Sequence, residues 1–182
     1  MHKWPFSISL AIASLPLFST AGRAETLRIG THWFEVPQSH LVSADPRNQG
    51  FLVQLEPEAA LPDRINVAVE SRERVCARAA GTSAGINSTI CARRPVRWRG
   101  EAIERSGGQQ TWKYVLRSAA ENDGAETSID LVRCFGNENG GLCLAVLPER
   151  DLVLSLWIND AEVRNLEQLF DRAVALLRSW ER

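Results

Sequence analysis

Histidine is scarce in this chain of 182 residues: three occur, and none follows His40. That absence removes the common catalytic sets. The nucleophile elbow of α/β-hydrolases needs a histidine late in the chain, after the serine and the acid. Gly81-Thr82-Ser83-Ala84-Gly85 matches the G-x-S-x-G pattern. Its flanks, Arg78-Ala79-Ala80 and Ile86-Asn87-Ser88-Thr89, suit neither the strand before an elbow nor the helix after it, so the segment reads as a Gly/Ser/Thr loop. His32 and His40 are not at a short ligand spacing, and no C-x2-C pair occurs, so no metal centre is expected. Neither G-x-x-x-x-G-K-[ST] nor G-x-G-x-x-G is present, and no cofactor is expected. No apolar run reaches the ~20 residues a helix needs to span a bilayer.

The longest apolar run, Ile8 to Phe18, follows Met1-His2-Lys3 and gives way to small residues ending in Gly22-Arg23-Ala24. A positive start, a short apolar core and a small-x-small exit form the layout of a secretory signal peptide. Residues 1–24 are therefore expected to be removed, leaving 25–182 as a single domain without a membrane anchor. The expected location is periplasmic or secreted. Cleavage takes Lys3 and Arg23 with it and leaves Lys113 as the one lysine. The remainder is mildly acidic overall, which argues against nucleic acid or an anionic membrane as partner.

Export changes the meaning of Cys76, Cys91, Cys134 and Cys143. An even count in an oxidising compartment predicts two disulfides, and four cysteines allow three pairings. One pairing is favoured by local pattern. Cys134 and Cys143 sit symmetrically about Gly136-Asn137-Glu138-Asn139-Gly140-Gly141, between the strand-like runs 128–135 and 142–147. A hairpin there sets them opposite each other, and Cys76 is then left to Cys91.

Alternation of apolar and polar residues predicts strands at 65–69 and 112–117, and strand-like runs predict others at 51–55, 128–135, 142–147 and 152–158, with a first strand over 27–34. Asn122-Asp123-Gly124 predicts a turn, and 79–89 an exposed loop. Asn159-Asp160 with Glu162 predicts a capped helix start. Val163, Leu166, Phe170, Ala173, Leu177 and Trp180 then recur at helical spacing, predicting one long terminal helix. The expected fold is α+β: an antiparallel sheet with one face covered by a long C-terminal helix, held by two disulfides.

Charge is uneven. Residues 71–105 hold eight arginines against three acids. Within them Arg93-Arg94-Pro95-Val96-Arg97-Trp98-Arg99 sets four arginines around an aromatic. Arginine and tryptophan are the residue types that dominate interface hot spots. Arg93, Arg94, Arg97, Trp98 and Arg99 are the candidate partner-binding residues, facing an acidic patch on a protein.

Trp33-Phe34-Glu35-Val36-Pro37-Gln38-Ser39-His40-Leu41 resembles an aromatic-x-aliphatic-Pro-x-x-x-Leu opening found in small exported proteobacterial proteins, some regarded as periplasmic immunity proteins against secreted toxins. Cys134 and Cys143, followed by 152–157 and the terminal helix, are similar too. His40 stands where that opening has an aromatic, and the middle of the chain has no counterpart. The resemblance implies a non-catalytic role, binding and inhibiting a secreted toxin. Two other classes stay open: an envelope hydrolase using Ser83 with His32 or His40, or a carboxylate pair such as Asp123 with Glu126; and a carrier of a small apolar ligand between sheet and helix.

Overall fold

The computed structural model describes residues 22–45, 47, 49–60, 64–80, 88–91, 103–118, 127–137 and 140–182. The chain opens with a hairpin of β1 (Ala24–Ile29) and β2 (His32–Pro37). The sequence pattern had suggested one strand across 27–34. Gly30 breaks it, because its φ of +60° turns the chain where most residues cannot. The expected cleavage point after Ala24 falls at the first residue of β1.

Eight further strands form one antiparallel sheet. They are β3 (Leu41–Ala44), β4 (Gly50–Gln54), β5 (Asn66–Ser71), β6 (Ile103–Gly107), β7 (Thr111–Ser118), β8 (Thr127–Asn137), β9 (Gly140–Glu149) and β10 (Leu152–Asn159). The order is β3-β4-β5-β10-β9-β8-β7-β6. β7 to β10 form a meander, whereas β10 returns to pair with β5. That return places β10 at the centre, where it is buried on one side throughout.

Register assigns the faces. Val67, Val69, Leu154, Leu156, Leu147, Ala145, Cys143, Cys134 and Val132 share the inner face. Against it packs the terminal helix α3 (Leu166–Trp180), which buries Leu166, Leu169, Ala173, Val174, Leu177 and Trp180. The β1–β2 hairpin shares this core: Phe34 meets Phe51 of β4 edge-on, with ring centroids 5.4 Å apart. The helix end is tied to the hairpin by the Arg182 N–H, which donates to the Trp33 carbonyl at 3.0 Å.

The expected capping box does not form. Residues Asp160–Asn165 make a 3-10 turn before α3, and neither Asn159 nor Asn165 caps through its side chain. The Asp160 carboxylate is engaged elsewhere, by two donors from β7.

The outer face carries a second, smaller layer that the sequence pattern did not suggest. Helix α1 (Arg72–Ala80) reaches into the start of the exposed loop expected over 79–89, and the one-turn α2 (Ser88–Cys91) takes up its end. Residues 81–87 of that stretch lie outside the described residues. Val75 and Ile90 pack with Val153 and Val146 on the outer face of β10 and β9. α1 shows no apolar stripe, so periodicity could not find it. The buried contact of Val75, the bond from Cys76 to Cys91, the Arg72 N–H donating to the Asp151 carbonyl and ion pairs of Arg74 and Arg78 with Glu70 hold it instead. The expected turn at Asn122-Asp123-Gly124 lies outside the described residues.

Candidate functional site

Both cysteine pairs are joined as the local pattern favoured. Cys76 and Cys91 have Cα atoms 5.7 Å apart, and Cys134 and Cys143 have theirs 4.0 Å apart. Cys134 and Cys143 face each other directly across β8 and β9. The two bonds differ in setting. Cys134 and Cys143 are buried in the main core, whereas Cys76 and Cys91 are partly exposed and line a surface cleft of ≈ 470 Å³.

The hairpin carrying Cys134 and Cys143 is tight. A side chain on Gly141 would meet the Phe135 carbonyl oxygen at 2.5 Å and the Trp112 ring at 2.6 Å. Glycine there lets Trp112 lie over the hairpin. The Trp112 indole N–H and the Tyr114 hydroxyl both donate to Asp160 Oδ1, each at 2.8 Å. Arg105 stacks its guanidinium over Trp112 at 4.4 Å. Burial first, and then the hydrogen bond to Asp160, push the Tyr114 hydroxyl above its ordinary pKa of 10.0. The sulfurs of Cys134 and Cys143 lie within 4.8 Å of the Asp160 carboxylate. The sulfurs are bonded to each other, so they offer no thiolate to a metal ion. The cluster ties the start of α3 to β7 and β9.

The two histidines are both packed side chains. His32 Nδ1 lies 2.6 Å from Glu181 Oε1, and the carboxylate accepts its proton. Its Nε2 is buried without a hydrogen-bond partner among the described residues. His40 Nδ1 donates to the Gln54 carbonyl at 2.8 Å, and its ring stands edge-on to Trp180 at 5.1 Å. Ser83 lies outside the described residues, as do Arg93, Arg94, Arg97, Trp98 and Arg99. Where α3 meets the hairpin, the cavity lined by Phe34, Leu152, Val174 and Leu177 is ≈ 20 Å³. That is room for about one water, not for a carried ligand.

The surface that stands out is the rest of the outer face. Phe135, Leu142 and Trp157 come from β8, β9 and β10, and they are 48%, 41% and 39% exposed. Phe135 and Leu142 are direct partners in the ladder, as are Trp157 and Leu144. The rings of Phe135 and Trp157 lie edge-to-face at 6.4 Å. Beside Phe135, Lys113 and Arg133 share one carboxylate, Asp130, at 2.8 and 4.0 Å. Next to Trp157 and Leu142 opens a cleft of ≈ 530 Å³, bordered also by Asn66, Arg64, Glu162 and Arg172. A cluster of large apolar side chains on a wet sheet face is what an interface presents. Residues 152–158, Leu-Val-Leu-Ser-Leu-Trp-Ile, are apolar on both alternating sets, and this doubled pattern is the signal sequence reasoning passed over.

Neither a protein-family profile nor a curated protein sequence matches the chain. A solved structure does. The chain is similar in fold to an immunity protein of the Stenotrophomonas maltophilia type IV secretion system, with a TM-score of 0.52 and 11% sequence identity. The match covers 88% of this chain and 94% of that one. The sequence resemblance to immunity proteins therefore has a structural counterpart: the fold is shared over nearly the full length of both chains.

Proposed function

We propose that this chain is an exported envelope protein that acts by binding another protein, as an immunity protein binds and neutralises a secreted toxin, and not by catalysis. The observation that carries the reading is the fold shared with a secretion-system immunity protein over 88% of the chain. Two further features support it. Both cysteine pairs are oxidised, as suits a periplasmic or secreted protein. Among the described residues no helix is long and apolar enough to cross a membrane. The signal segment is removed after Ala24, and Glu25–Ile29 remain paired with β2. The basic window of Arg93, Arg94, Arg97, Trp98 and Arg99 is a second contact region, meeting acidic groups of the toxin. This last placement rests on composition.

The test is neutralisation. The mature chain is exported to the periplasm of a sensitive cell together with a candidate secreted toxin of the organism that makes it. Survival, with a stable complex on purification, is the expected result. Killing that is unchanged by the chain, with no complex, overturns the reading. Charge reversal at Arg94, Arg97 and Arg99 weakens the complex if the basic window takes part, and leaves it unaltered if it does not.

A further inference from the structure

We propose that the outer sheet face around Phe135, Leu142 and Trp157 is the docking surface for the toxin, and that the toxin seats an apolar side chain there flanked by carboxylates. This rests on the immunity reading and gives it a place and a chemistry.

Three observations point to it. First, among the described residues the large apolar side chains with substantial exposure are Trp33, Val42, Phe135, Leu142 and Trp157, and three of them form one patch. The patch spans three adjacent strands in the middle of the sheet order, with its residues fixed by ladder register. A rigid aromatic surface loses little freedom on binding. Second, the outer face is already covered at its other end by α1 and α2, which bury Val153 and Val146. Trp157 continues the same row of β10 two positions past Ser155, where that cover has ended. Third, the rim at Trp157 and Leu142 is mixed, with Arg64 and Arg172 beside Glu56 and Glu162, whereas cations predominate next to Phe135. Lys113 and Arg133, 44% and 56% exposed, have one carboxylate between them in Asp130. Among the described residues this sets two cations against one carboxylate next to Phe135, which suits an acidic group on the partner. Tryptophan, a second aromatic and an exposed arginine together are the composition of a binding hot spot.

The experiment places a photo-activated phenylalanine analogue at Phe135, Leu142 or Trp157 of the full chain in the cells that produce it. Val42 and Trp33, exposed apolar positions away from the patch, serve as comparisons. The expected result is cross-linking to the toxin from the three patch positions and not from the comparisons, with the linked toxin peptide carrying Asp or Glu. In the neutralisation assay, Trp157→Ala and Phe135→Ala each weaken the complex by about 30-fold or more. Lys113→Glu with Arg133→Glu slows association about 10-fold and reduces its salt dependence. All four residues are exposed or half-exposed, so the folded state is checked by unchanged thermal melting.

Cross-links to the toxin only from Val42 or Trp33, or full neutralisation by Trp157→Ala with Phe135→Ala, overturn the docking surface and leave the immunity reading standing. Cross-links from the patch to a second copy of this chain also overturn it. No neutralisation by the wild-type chain, with no cross-link to a toxin from any position, overturns both.

Discussion

Asp160 is the residue whose role differs most between sequence and structure. Next to Asn159 and ahead of a helical stripe, it reads as a cap. In the fold it accepts hydrogen bonds from Trp112 and Tyr114, residues 48 and 46 positions away. No local pattern can show an acceptor whose donors lie that far along the chain. The arrangement is open to direct measurement, because Tyr114 is the only tyrosine. Tyrosinate absorbance near 295 nm, which reports Tyr114 alone, is expected to rise with a midpoint above 10.0. The neutral hydroxyl is the form the fold favours. Its contribution to stability is present below pH 10 and is lost as pH rises through the raised folded value. Asp160→Asn removes the acceptor charge and brings the midpoint back toward 10. Tyr114→Phe removes one charge-assisted hydrogen bond and is expected to cost about 1.5 kcal/mol in urea unfolding.

At the scale of elements, the two disulfides divide the molecule. The pair Cys134–Cys143 closes a span of 9 residues inside the main core, and Cys76–Cys91 closes one of 15 at the surface. Thiol exchange requires access to a sulfur. Mild dithiol treatment followed by alkylation and peptide mapping is therefore expected to label Cys76 and Cys91 well before Cys134 and Cys143. Labelling in the opposite order would contradict the burial described for the two pairs. Arg74 bridges to Asp45 at 2.5 Å, linking α1 to the end of β3. The Arg47 backbone N–H and then the Arg74 guanidinium hold the Asp45 carboxyl below its ordinary 3.8. A depressed carboxylate contributes stability above its unfolded value and loses it as pH falls through the folded one. The difference in melting temperature between wild type and Asp45→Asn is accordingly expected at pH 6 and should shrink below pH 3.8. α3 is held chiefly by packing, with ion pairs from Arg172 to Glu56 and Arg178 to Glu149 on its exposed side. Leu169, 1% exposed, sits mid-helix against the sheet, and Leu169→Ala is expected to cost about 2–5 kcal/mol by denaturant unfolding. The apolar stripe of α3 was legible because its period repeats along one continuous segment. α1 was not, because a disulfide, one small apolar contact and ion pairs to other elements hold it in place of a stripe.

For the whole molecule, the export reading makes a simple prediction: the protein recovered from the envelope starts at Glu25 and contains no free thiol, as intact mass before and after alkylation would establish. A mass retaining residues 1–24 would refute the cleavage. Much of the architecture was present in the sequence. Strands β5 and β7 follow from alternation, β4, β8, β9 and β10 from short strand-like runs, α3 from its stripe, and the hairpin disulfide from the symmetry of Cys134 and Cys143 about a glycine-rich turn. These are features in which neighbours in sequence are neighbours in space. Tertiary structure decided the rest. It alone set β10 between β5 and β9, turned Asp160 toward β7, and laid α1 on the outer face. It also brought Phe135, Leu142 and Trp157 into one patch. Each of those three is an ordinary strand residue in its own segment. Their common surface exists only because ladder register across β8, β9 and β10 sets them side by side, and pairing between strands is a relation that alternation within one strand does not encode.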